Sequence, residues 1–153
     1  MKDQLVDTWA IQNRINLYLL DAISDEGLDA RPGARGRSVA EQLSHLNNVR
    51  LMWLKEGAPD LLEGLAKLEK GEELTRQALS AALVSSGAAI EGLLERGAES
   101  GRIRGFKPHP VGFLGYLIAH EAHHRGQIVQ TLKSAGHPID KKTSYGLWEW
   151  GVR

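Results

Sequence analysis

The sequence predicts an all-α protein, a four-helix bundle that occupies residues 1–153 as a single domain. Three observations carry that reading. Apolar residues recur at helical spacing along four long segments, no segment reads as a convincing strand, and the breaks between segments fall on glycine and proline. A chain of 153 residues is long enough to bury one sizeable core.

The first helix covers residues 3–23, where Leu5, Thr8, Ile11, Ile15, Leu19, Ala22 and Ile23 follow the helical period and no glycine or proline intervenes before Gly27. The stretch "SDEGLDARPGARGR" gathers glycine, proline and arginine and reads as a loop. A capping box at Ser38 to Glu41 opens the second helix: the serine hydroxyl accepts from the amide three residues on, and Glu41 reaches back to the cap amide. That helix runs to about Lys55, before Gly57 and Pro59. Residues 57–74 form a connector with room for one short helical turn. The third helix spans Thr75 to Arg96 with Leu79, Leu83, Ile90 and Leu94 in register, and "GAESGR" ends it. Pro110 suits the first turn of the fourth, whose stripe runs through Phe113, Leu117, Ile128 and Leu132 to the stop at Gly136 and Pro138. The aromatic tail "SYGLWEWGVR" is expected to pack back on the bundle.

Nineteen basic residues balance nineteen acidic ones, so bulk charge draws the chain neither to nucleic acid nor to an anionic membrane, and a small-molecule substrate is the expected partner. The absence of cysteine removes disulfides, thiolate metal ligands and a cysteine nucleophile together. No apolar run approaches the ~18 residues of a membrane span and "MKDQLVDTWA" lacks a signal-peptide core, so a cytoplasmic location is expected.

The segment "HEAHHRGQIVQ" holds three of the six histidines. At about 100° per residue, His120 and His124 share a face with Phe113, Tyr116, Leu117, Gln127 and Ile128, which is expected to point inward. His123 lies roughly 60° aside and Arg125 roughly 140° away, so both are expected at the periphery. Two imidazoles one turn apart need a third ligand to hold an ion well. His45, sharing a face with Leu46, Val49, Met52 and Trp53, supplies it. His45 stands about 10 Å along a second helix of about 26 Å, and His120 and His124 stand about 15 and 21 Å along the fourth. These heights agree if the two helices are antiparallel, whereas in an up-down-up-down bundle they would miss by roughly 5–11 Å. The expected topology is therefore up-down-down-up, crossed by the connector.

His120, Glu121 and His124 also satisfy the zinc-protease pattern H-E-x-x-H, with the glutamate as general base. Its longer metzincin form fails at Gln127 and Gln130, and the third ligand comes from upstream. Glu121 is then either a surface residue or a group that supports the ligands and acts as a base. Gln12, Asn16, Trp53 and Tyr116 are candidates for the wall of a binding pocket. The competing reading makes the two amides a water-facing edge and the aromatics plain core. Arg31, Arg35, Arg37, Arg102 and Arg104 are read as solvated, and His109 and His137 as ordinary surface residues. Three imidazoles suit zinc, nickel, copper or iron, with zinc or nickel favoured here, and leave coordination positions open, as catalytic sites do.

The elements "HLNNVRLMWL" and "HEAHHRGQI" resemble the DinB/YfiT-like superfamily of metalloenzymes, across nearly the whole chain. The resemblance implies an up-down-down-up bundle, often a homodimer, with His45, His120 and His124 as ligands of a divalent metal. It also implies that the ion activates a low-molecular-weight thiol, such as bacillithiol or mycothiol. The expected activity is a metal-dependent thiol S-transferase or hydrolase using thiol or water against a small electrophile. The alternative is a non-catalytic, metal-binding dimeric bundle.

Overall fold

A computed structural model describes residues 1–69 and 74–153, all in helices, turns and loops apart from one isolated bridge between Ile103 and Phe106. Four long helices, α1 (Lys2–Ala22), α3 (Val39–Gly57), α4 (Arg76–Ser100) and α5 (Pro110–Ser134), carry the core, and α2 (Asp25–Leu28) and α6 (Lys141–Gly146) are short. Each boundary has a local cause. The capping box of α3 is present, with Glu41 N–H donating to Ser38 Oγ at 3.1 Å and Ser38 N–H to Glu41 Oε2 at 2.7 Å.

Three boundaries and one cap differ from the sequence reading. The first loop begins with α2, because the Ser24 hydroxyl accepts from the Gly27 amide and caps a turn with Asp25 and Glu26 at its start. α3 continues through Gly57. α4 passes straight through Gly97 to Ser100 and stops at Gly101, whose φ of 76° is the left-handed conformation glycine adopts freely. Gly97 is glycine for space, since a Cβ there would lie 2.2 Å from Ile103 Cδ1. His109, read as an ordinary surface residue, caps α5 by accepting the Gly112 amide on Nδ1 at 3.1 Å.

The connector holds a 3₁₀ turn at Pro59–Leu62 and then runs beside α3, where Asn48 exchanges two 2.9 Å hydrogen bonds with the Leu68 backbone. Residues 70–73 of the expected connector lie outside the described residues. The tail returns to α1 by stacking the Arg153 guanidinium 3.7 Å over the Tyr18 ring. Its aromatics do little of this: Trp148 is 81% exposed and Tyr145 64%.

The core has two apolar ends. One gathers Leu19 and Leu20 of α1, Val39, Leu43 and Leu46 of α3, Leu79 and Leu83 of α4, and Ile128 and Leu132 of α5. The other gathers Leu5 and Trp9, Leu54, Ile90, Leu93 and Leu94, and Phe113 and Leu117. So α1 and α5 finish where α3 and α4 begin. Each fully buried leucine or phenylalanine contributes about 1.5–3 kcal/mol over leaving it exposed. No unbroken apolar run spans α4, yet it is long and apolar enough on average to cross a membrane by length and composition, with a mean hydropathy of 1.3. Within the fold, its Leu79, Leu83, Ile90 and Leu94 stripe is fully buried against the other helices.

Candidate metal centre

Between the two apolar ends, α3 and α5 meet along an edge that carries the three histidines. His45 comes from α3 and His120 and His124 from successive turns of α5, and a ring nitrogen of each lies within 4.8 Å of those of the other two. Ring centroids are 5.4 Å apart for His45 and His120, and 4.7 Å for each of the other two pairs. His45 and His120 are half-buried, while His124 is only 8% exposed.

The edge position corrects the helical-wheel expectation. The face of α3 that enters the core is Leu43, Leu46, Arg50 and Leu54, whereas on the expected inward face Met52 is 55% exposed. Tyr116, expected to share the inward face of α5, is 42% exposed. An apolar arc wider than 100° has flanks, and a polar ring placed on a flank keeps contact with water while leaning on the core. His45 and His120 therefore sit where solvent reaches them, while His124 lies just beneath.

Burial pulls the His45 pKa down to about 4, with the positive charges of Arg37 and the neighbouring imidazoles acting in the same direction. Burial lowers His120 and His124 as well. All three are therefore neutral at pH 7, with lone pairs free. His124 Nδ1 lies 3.0 Å from Gln127 Oε1. A neutral ring donates its Nδ1 proton to that oxygen, which leaves Nε2 as the ligand atom. Three neutral imidazole nitrogens at this spacing form a group able to hold a divalent ion.

Glu121 faces elsewhere. It is 1% exposed, which overturns the surface alternative, and both of its oxygens are taken: Arg50 Nε donates to Oε1 at 2.6 Å and Nη2 to Oε2 at 2.9 Å. Asn16 and Gln12 also donate to Oε2, at 2.7 and 3.2 Å. The two amides of α1 are thus fully buried around Glu121, not facing water. Their oxygens accept from Arg125 Nη1, at 2.7 Å for Asn16 and 3.2 Å for Gln12, so Arg125 reaches inward instead of lying at the periphery. His123 is exposed, as expected.

Arg50 is the site residue that sequence reasoning missed. It is 0% exposed and also donates from Nη1 to the Leu83 carbonyl and the Ser86 hydroxyl of α4. Its signal was present: a lone charge four residues from Leu46 and from Leu54, at a core position of the helix.

Trp53 packs edge-on against Phe106, Phe113 and Tyr116, with centroids 5.3–5.9 Å away, two turns along α3 from His45. Its buried indole nitrogen has no hydrogen-bond partner among the described residues. On the opposite flank, a cavity of about 510 Å³ is lined by Arg37, Gln42, Gln127, Gln130 and Thr131, among others, and so adjoins His124 through Gln127. Of the loop arginines, Arg31 pairs with Glu41 at 2.8 Å and Arg104 lies 3.8 Å from Glu56, while the positive charge of the exposed Arg37 lowers the pKa of all three histidines.

Two solved structures share the fold. A DinB-like protein from Bacillus cereus superposes with a TM-score of 0.66 at 18% identity, covering 90% of this chain and 95% of its own. A DinB-like protein from Bacillus subtilis gives 0.61 at 21% identity, covering 90% and 96%. No curated protein matches the chain. The DinB family matches residues 1–149, nearly the full length, and the chain belongs to that family.

Proposed function

We propose that this protein is a metal-dependent enzyme in which His45, His120 and His124 hold a divalent ion, zinc or nickel, at the rim of an up-down-down-up bundle. The observation that carries the reading is the convergence of three neutral ring nitrogens within 4.8 Å at a solvent-reachable edge. A buried structural site would enclose its ion, whereas three nitrogens at an edge leave positions for a guest. A divalent ion held there supplies the charge that stabilises the deprotonated form of a low-molecular-weight thiol or of water.

The chain's own groups then have distinct tasks. Gln127 holds the tautomer of His124. Arg37 presents a positive charge toward the three rings, which favours an anionic attacking group over a neutral one. Trp53 and Tyr116 offer an aromatic wall on one flank, and the cavity at Gln42 and Gln130 offers room for a small electrophile on the other. Glu121 is occupied by Arg50 and the α1 amides, so it supports the site instead of serving as the base. A homodimer and a cytoplasmic setting go with this reading, and light scattering tests the first.

The deciding experiment is a thiol-consumption screen of zinc- or nickel-loaded protein against cellular thiols and small electrophiles, beside His124→Ala. The reading expects consumption by the parent at a rate at least tenfold above the variant. Equal rates would sink it.

A further inference from the structure

The metal reading leaves a question about the interior. The ligands come from two helices, one from α3 and two from α5, so the triad exists only while those helices keep one register. Apolar packing is non-directional and guards register weakly, yet a slip of one residue moves a side chain about 1.5 Å along the axis and about 100° around it. A histidine displaced that way no longer meets its partners.

The two helices are joined by a directional contact beside the triad. Arg50 stands five residues after His45 on α3, and Glu121 follows His120 directly on α5. Their fork-to-carboxylate pair makes two bonds, of 2.6 and 2.9 Å, with the two side chains 0% and 1% exposed. Such a bidentate pair accepts one geometry. The remaining guanidinium nitrogen is held by Leu83 and Ser86 of α4, and the same carboxylate accepts Gln12 and Asn16 of α1. All four long helices thus meet at one buried ion pair. Stability alone does not account for it, because removing two charges from water costs about what their attraction returns, and apolar residues of similar size often serve as well or better.

We infer that Arg50 and Glu121 are positioning residues for the metal centre, whose bidentate pair sets the register of α3 against α5 that brings His45 to His120 and His124. The inference rests on the metal reading of the triad for its consequence, while the register itself is measurable without metal.

The test compares the parent with the apolar pair Arg50→Met/Glu121→Leu and with Arg50→Lys, which keeps the charge and loses the fork. Three quantities are read: zinc affinity by chelator competition, the visible spectrum of the cobalt-loaded protein, and contacts between the His45 and His124 ring protons in metal-free protein by NMR. The apolar pair leaves Gln12, Asn16 and Ser86 without their charged partners and should melt below the parent while still folding, and it should bind zinc at least tenfold more weakly, with altered cobalt bands and lost ring contacts. Arg50→Lys should lose affinity by a smaller factor. Parental affinity, spectrum and ring contacts in the apolar pair overturn the inference, and if that pair does not fold, the same result in Arg50→Lys does so. If the parent itself binds no zinc, the metal reading fails, and the ring contacts alone decide the register claim: lost in the variant they support it, retained they overturn it.

Discussion

The histidine edge and the ion pair at the centre of the polar layer just inside it come from the same two helices, yet they treat their polar groups in opposite ways. At the edge, His45 and His120 are half-buried, and the ring nitrogens face one another with lone pairs free. In the layer, each Glu121 oxygen has protein donors, and Arg50 is bonded through all three guanidinium nitrogens. A group left open at the surface can take a ligand, while a group closed in the interior can only hold position. On α5 the chain separates binding at His120 from alignment at Glu121 by a single residue, about 100° of helical rotation.

Breaking one partner of the layer should have the largest effect. Arg50→Met alone strands the Glu121 carboxylate in the core and should cost about 3–5 kcal/mol in urea unfolding. A cost near zero would mean that the pair is not closed in solution. His124→Ala should act at the other region, abolishing metal binding in calorimetry while lowering the stability of the metal-free protein by less than the Arg50 change does. Milder than either is Gln127→Ala, which removes the oxygen facing His124 Nδ1 and should weaken metal affinity roughly 10–100-fold with little change in fold.

The pH dependence of the metal-free protein is the mildest probe. His45 is lowered in the folded state from 6.5 to about 4, so between those values the unfolded chain takes up a proton that the folded one refuses. Stability is then whole above about pH 6.5 and falls as pH drops toward 4. Melting curves over that window should show a shallower fall for His45→Ala; matching slopes would remove the imidazole from the account.

Much of the site was legible before the fold. The i, i+4 spacing of His120 and His124, and the height at which His45 meets them, follow from helix geometry alone. The Ser38 capping box and the Pro110 start were equally local. Gly97 reads in the sequence as a helix stop, whereas its role depends on Ile103, which packs against it from outside the helix. A helical wheel puts Arg125 at the periphery, because it shows where the backbone points and not how far a guanidinium reaches back.

What the sequence determined by itself was the helical periodicity, the caps and the three imidazoles, since each is set by spacing along one segment. Tertiary structure alone decided that Glu121 closes on Arg50 and that the histidines lie on the rim. The physical reason is that a buried charge finds its partner across helices, and the depth of a helix face depends on which neighbours cover it.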